Sequence, residues 1–406
     1  MGHLDVNDIL TDVQHGFRKA RSCESQLILT VDDLARNIDA GVQTDVILLD
    51  FAKAFDKVPH PHLLRKLEYY GLSGSLLKWI RNFLHGRTQR VVIDGESSNI
   101  APVTSGVPQG SVLGPLLFLV YINDLPDCIS NGTKVKLFAD DTMVYRAINS
   151  RADAVQLQHD LDSLQEWERK WLMTFHPGKC QVLHITKRKK QEHHTYAIHG
   201  TDLKSAESAK YLGVEISSDL SFDKHIDNIT KKGLKTLGFL RRNLPGRSCS
   251  RETKTTCYNA LVRPVMEYAS CIWDPHTNKA TSKAEAVQRS AARYVMNNFS
   301  RRSSVTAMTD ELKWKTLEHR RATSKVTMMY RICNKLIDIP DNQLVPLNTR
   351  TRGHTKRFFV PRSRTSLLRD TFFPNTIRLW NGLPENVVSS PSIDIFKTRV
   401  RDVAFH

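Results

Sequence analysis

Two β-rich runs, 134–139 and 142–148, are separated only by Asp140-Asp141. Two residues between extended runs is the spacing of a tight hairpin, so an antiparallel ribbon is predicted there. The turn chemistry is unusual. Stability favours Asn-Gly or Asp-Gly at such a turn, whereas adjacent carboxylates repel. A divalent cation removes that repulsion. A third carboxylate, Asp50, ends an apolar strand predicted over 44–51, after Ile47-Leu48-Leu49. A charge there is costly to bury unless it is paired or bound to a cation. Three carboxylates delivered by two strands make a hard, oxygen-rich site suited to Mg²⁺. Such a site can hold two ions roughly 3.5–4 Å apart, one activating a hydroxyl and one stabilising a leaving phosphate group. A plainer alternative makes Asp50 a turn cap and the acidic pair a solvated loop. It does not account for all three carboxylates in this order with a Gly/Pro loop, 105–110, between them.

Around these residues the pattern predicts an α+β sheet with helices packed on one face. Leu27, Leu34 and Ile38 give a helix over 23–38, and 76–84 gives a second. Arg90 to Ile93 turns at Asp94-Gly95 into a hairpin. The 105–110 loop feeds an apolar helix from Val112. A long amphipathic helix is predicted over 152–175, with Val155, Leu157, Leu161, Leu164, Trp167 and Leu172 on or near one face. His176-Pro177-Gly178 stops it before a strand at 180–185. The stretch 187–200 reads as an exposed connection, and 211–216 as a further strand. From His225 to about Leu336 the pattern is helical and basic. Residues 340–375 are rich in Arg, Pro and Ser, and a short helix is predicted near Phe396.

With 40% hydrophobic and 25% charged residues over 406 positions, the composition is that of a globular protein. The net charge of +17 is unevenly placed. Residues 1–186 carry 19 Lys/Arg and 22 Asp/Glu, and residues 187–406 carry 40 and 20. A polyanion partner for the second half is the expectation, a solvated basic face the alternative. Seven scattered cysteines form no C-x-x-C pair, which suits a reducing compartment. The longest apolar run, 112–122, is too short to span a bilayer. Val6 breaks a myristoylation signal at Gly2. A soluble intracellular protein without membrane contact is expected. Lys187-Arg188-Lys189-Lys190 reads as a solvated run, with nuclear import as the alternative.

Six ordered segments between residues 14 and 217 resemble the reverse transcriptase of non-LTR, jockey-type retrotransposons. Gln14-His15-Gly16-Phe17-Arg18 with Arg21-Ser22 resembles the finger segment, and Leu49 to Asp56 the first palm motif. Ser105 to Ser111 is similar to the second, and Phe138-Ala139-Asp140-Asp141 to the third. Trp167 to Lys179 resembles the fourth motif, and Tyr211-Leu212-Gly213 the fifth, the primer grip. The resemblance implies a right-hand palm, an antiparallel sheet with helices on one face, with partial fingers over 1–217. A helical thumb over 218–300 and a basic C-terminal region over 301–406 would follow. The family normally has more before the finger motif, including an endonuclease, so an N-terminally truncated polymerase is expected.

The implied activity is RNA-directed DNA synthesis, adding dNTPs to a DNA primer on an RNA template, the element RNA. The implied cofactor is two Mg²⁺ ions, with Mn²⁺ able to substitute. Asp50 and Asp140 would ligate both ions, the Phe51 carbonyl would complete one shell, and Asp141 would stand nearby. Phe55 would be the sugar gate against a ribose 2′-hydroxyl. Gln109 and Gly110 would approach nucleotide and template, Lys179 the pyrophosphate, and Arg18 and Arg21 the triphosphate or template. An intracellular site in nucleus and cytoplasm is implied, and the sequence specifies no oligomer. The alternatives are a catalytically silent relic that binds RNA or DNA through its basic half, and a group II intron maturase.

Overall fold

The apolar run ahead of Asp50 becomes strand β1 (Gln43–Leu49), all of it buried except Leu48. A buried strand must pair its backbone N–H and C=O groups along both edges. In this computed structural model, which describes residues 2–189, 191–245, 249–340, 343–347 and 353–405, it has partners on both. Four further strands join it: β2 (Thr133–Phe138), β3 (Asp141–Ile148), β4 (Gln181–Ile185) and β5 (Lys204–Ser205), in the order β5-β4-β1-β3-β2. All pairings are antiparallel except β4 with β5, an addition that the sequence pattern did not show. Lys190, the end of the basic run noted above, lies outside the described residues.

The residues form two units, 1–26 with 41–209, and 27–40 with 210–406. In the first, helix α1 (Leu113–Ile122) and helix α2 (Arg151–Trp171) share one core with the sheet, joining Phe118 and Leu119 to Leu157, Leu161, Leu164, Trp167 and Val144. Buried Asp45 on β1 is satisfied by His184 Nδ1 at 2.9 Å, Gln43 Nε2 at 2.9 Å and the Tyr196 hydroxyl at 2.7 Å. Polar burial of this kind is tolerated only when every lone pair is answered.

In the second unit, Asp223–Asn243 packs on Asn278–Val295 through Leu237, Leu240, Val287 and Ala291, with Tyr258 and Met266 between. Lys231, Lys232 and Lys235 stay exposed on the first of these helices. Near the C-terminus Phe396 stacks on Tyr330, ring centres 4.4 Å apart. Asp39 accepts from the backbone nitrogens of Arg364 and Thr365, which ties residues 27–40 into this unit.

The α+β class is the one that the pattern predicts, and four local readings change. Helix α2 ends at Trp171, not at 175, because Leu172 turns left-handed (φ 54°) and Phe175 forms a bridge with Phe51. Val155 and Leu172 are 49% and 56% exposed, so the buried stripe is Ala154, Leu157, Leu161, Leu164 and Trp167. The strand expected at 211–216 is a hairpin, Ser208–Tyr211 with Val214–Ser217, turning at Leu212-Gly213. Within 187–200, Tyr196 and Ile198 are buried rather than exposed. Among the described residues, no helix is long and apolar enough to cross a membrane.

Candidate active site

Phe138 pairs with Asp141, so the two-residue turn is Ala139-Asp140, and Asp141 opens β3. The turn expected at Asp140-Asp141 is thus shifted by one residue. Ala139 takes the left-handed conformation at φ 54°. That costs a non-glycine residue about 1 kcal/mol, so something must hold it. The shift matters because one residue of register reverses the face on which a side chain lies. On the other edge of β3, Leu49 pairs with Thr142, and one more step sets Asp50 across from Asp141. Two neighbouring strands thus deliver three carboxylates to one end of the sheet.

Asp50 is fixed by its own backbone. Its carbonyl accepts from His176 N at 2.8 Å, and the Ala52 nitrogen donates to Thr174 O at 2.8 Å. The Phe51 ring, 2% exposed, stacks on Phe175 with centres 4.3 Å apart. This pairing brings residues 174–179 alongside, and Lys179 Nζ reaches Asp50 Oδ2 at 2.9 Å. Phe55 is half-buried and stacks on Phe118 at 4.4 Å. The 105–110 loop docks on the same segment. Val107 N donates to Phe55 O at 2.8 Å, and Gln109 Nε2 donates to Asp56 Oδ1 at 2.9 Å. Gly106 lies at φ +92°, and a Cβ there would stand 2.7 Å from Asp56 O, so only glycine permits this contact. Gly110 is exposed at the end of the loop.

Arg18 and Arg21 lie elsewhere in their chemistry. Arg18 Nη1 donates to the carbonyls of Leu10 and Thr11, and Arg21 donates to those of Asp12 and Gln14 and pairs with the Asp12 carboxylate at 2.7 Å. Both brace the 10–14 backbone.

Electrostatics set the acidic residues apart. Burial, then the Asp140 and Asp50 charges, push the Asp141 carboxyl up to about 6, although its outer side meets solvent. Burial and Asp50 also raise Asp140. Burial and carboxylate crowding at Asp140 and Asp141 outweigh the one ammonium nearby, Lys179 on Asp50. The donor chemistry fits a hard divalent cation: all-oxygen and anionic, with a raised proton affinity that a cation would relieve. As they stand, no three His, Cys, Asp or Glu side chains among the described residues are gathered closely enough to hold an ion. Lys179 is the cation at Asp50.

Three residues support the site in ways that the sequence did not show, Gln14 having been named there only as the start of the finger-like segment. Glu168, 2% exposed, accepts from Phe175 N and from His199 Nε2, anchoring the strip that pairs with Phe51. A carboxylate among the apolar positions of α2 was the available signal. His60 Nε2 donates to Gly106 O at 2.8 Å and holds the Gly/Pro loop. Gln14 contacts the hairpin turn itself.

Residues 3–216, more than half of the chain, match the family described as reverse transcriptase (RNA-dependent DNA polymerase). The chain belongs to the reverse transcriptase family. Members of this family use divalent metal ions. The chain is 28% identical over 303 residues to the RNA-directed DNA polymerase from mobile element jockey of Drosophila melanogaster, covering 72% of this chain and 32% of that relative. The Drosophila funebris jockey polymerase is also 28% identical, over 299 residues, with the same coverages of 72% and 32%. This reverse transcriptase chain therefore spans about a third of the length of these curated relatives. Among solved structures, apo telomerase from Candida tropicalis aligns at TM-score 0.44 and 9% identity, covering 82% of this chain and 52% of that one.

Proposed function

We propose that this chain is the polymerase part of a non-LTR, jockey-type element, adding dNTPs to the 3′-hydroxyl of a DNA primer on the element's RNA. The observation that carries this reading is the delivery of Asp50, Asp140 and Asp141 to one end of the sheet by β1 and the β2–β3 hairpin. Asp50 and Asp140 would hold two Mg²⁺ ions, or Mn²⁺ in their place, with the Phe51 carbonyl completing one shell and Asp141 in a looser role. Bound there, the ions supply Lewis-acid activation of the hydroxyl and charge neutralisation on the departing pyrophosphate.

The remaining residues orient and screen. The Phe55 ring, braced on Phe118, is a wall against a ribose 2′-hydroxyl. Gln109 and Gly110 face the incoming nucleotide and template from a loop pinned to Asp56. Lys179, once released from Asp50, offers a charge or a proton to the pyrophosphate. Arg18 and Arg21, expected at the triphosphate or template, would act there through the 10–14 segment that they brace. Residues 1–217 would serve as partial fingers and palm, 218–300 as a thumb on the primer–template backbone, and 301–406 as a further basic region.

The test is dTTP incorporation on poly(rA)/oligo(dT) with Mg²⁺ by the purified chain. Incorporation is expected, with a loss of about a hundredfold or more in Asp140→Asn. Full activity in that variant would overturn the site assignment. Salt-sensitive binding with no incorporation would leave a nucleic-acid-binding relic.

A further inference from the structure

The turn that carries Asp140 and Asp141 is held from outside the hairpin. Gln14 is 2% exposed, and its Oε1 accepts from Gly16 N at 2.7 Å and from Ala139 N at 2.9 Å. Ala139 is the left-handed residue of the turn, at φ 54°. Either side, His15 N donates to Leu137 O at 2.8 Å, and Leu137 N donates to Val13 O at 3.0 Å. Residues 13–16 therefore run along the outer edge of β2, with Gln14 in a parallel bridge to Leu137. The approach is close: a Cβ on Gly16 would stand 2.4 Å from Ala139 N and 3.0 Å from the Phe138 carbonyl carbon.

The amide is used for its oxygen alone. Both partners are N–H donors, so only Oε1 can face them. Gln14 Nε2 is buried with no hydrogen-bond partner, an arrangement that stability by itself disfavours. A Glu would supply the same oxygen but add a buried negative charge beside a turn that already carries two. A neutral acceptor is the one group that can fix the Ala139 backbone without adding to the repulsion.

We infer that Gln14 is a positioning residue: through Ala139 N it sets the direction in which the turn presents Asp140 and Asp141 to bound cations. The inference rests on the reading of these carboxylates as the metal-binding site. Gly16 serves the same end by letting the 13–16 segment reach the turn.

The test measures Mn²⁺ binding to the purified chain by electron paramagnetic resonance, beside dTTP incorporation on poly(rA)/oligo(dT). Gln14→Met keeps the side-chain volume and removes the acceptor. It should weaken Mn²⁺ binding and lower kcat, each by about tenfold, while KM for dTTP stays near the wild-type value. Gln43→Met, which removes a buried amide of the same unit away from the turn, should change neither. Should Gln14→Met fail to fold, amide hydrogen exchange on the wild-type chain decides. Ala139 N should be protected to the level of the β2–β3 ladder, and exchange at the rate of an open loop overturns the inference. Unchanged Mn²⁺ binding in a folded Gln14→Met, with binding lost in Asp140→Asn, overturns the inference and leaves the polymerase reading standing. Binding retained in Asp140→Asn overturns both.

Discussion

Asp141 shows what crowding does to a carboxylate at the end of a sheet. Burial and the Asp140 and Asp50 charges move its carboxyl from an ordinary 3.8 to about 6. The sign follows from proton binding. Below about pH 3.8 folded and unfolded chains both hold the proton, so nothing is lost. Between about 3.8 and 6 the unfolded chain releases it first, and folding stability falls as pH rises. Above about 6 the penalty is complete. Asp141→Asn should therefore stabilise the metal-free chain at pH 7 by about 1 kcal/mol, a value reduced for solvent on the exposed side of the carboxyl. The gain should vanish below about pH 4, as read by thermal melts of both proteins across that range. Carboxylates in apolar surroundings are legible in a sequence because their cost demands a reason. The roles of Gln14 and His60 are not, because each acts through a backbone partner far along the chain.

Among the elements, the hairpin, the central strand and the apolar helix from Val112 were all readable from periodicity. Their ends were not. The turn moved by one residue because Gln14, 125 positions away, holds Ala139 in a conformation that local propensity disfavours. Helix α2 stopped early because the residues after it pair with Phe51. Tertiary contacts decided both, and no window of sequence contains them. The 105–110 loop shows the same dependence. Gly106→Ala adds a side chain at φ +92° and 2.7 Å from Asp56 O. It should cost about 2 kcal/mol and displace Gln109, raising KM for dNTP more than it lowers kcat. Steady-state kinetics beside a thermal melt check this. An unchanged KM would separate the loop from nucleotide binding.

At the scale of the whole chain, the basic excess of residues 187–406 predicts binding dominated by phosphate contacts. Affinity for an RNA–DNA hybrid should fall about a hundredfold or more between about 50 and about 200 mM salt. Replacing exposed Lys231 and Lys235 together by Glu should flatten the log–log salt slope by about 2. Filter binding across a salt series measures both, and an unaltered slope would place the contacts elsewhere. The charge split was plain in the sequence, but the division of the chain was not, since residues 27–40 belong with 210–406. The helix Cys23–Asp39, most of which lies in that segment, buries Leu27, Ile28, Val31, Leu34 and Ile38, and it is made long before its partners. On a ribosome adding about 5–20 residues per second, it would wait roughly ten to thirty seconds for residue 210 onward to emerge. During that interval its apolar stripe would be open to chaperones or to neighbouring nascent chains on the same message.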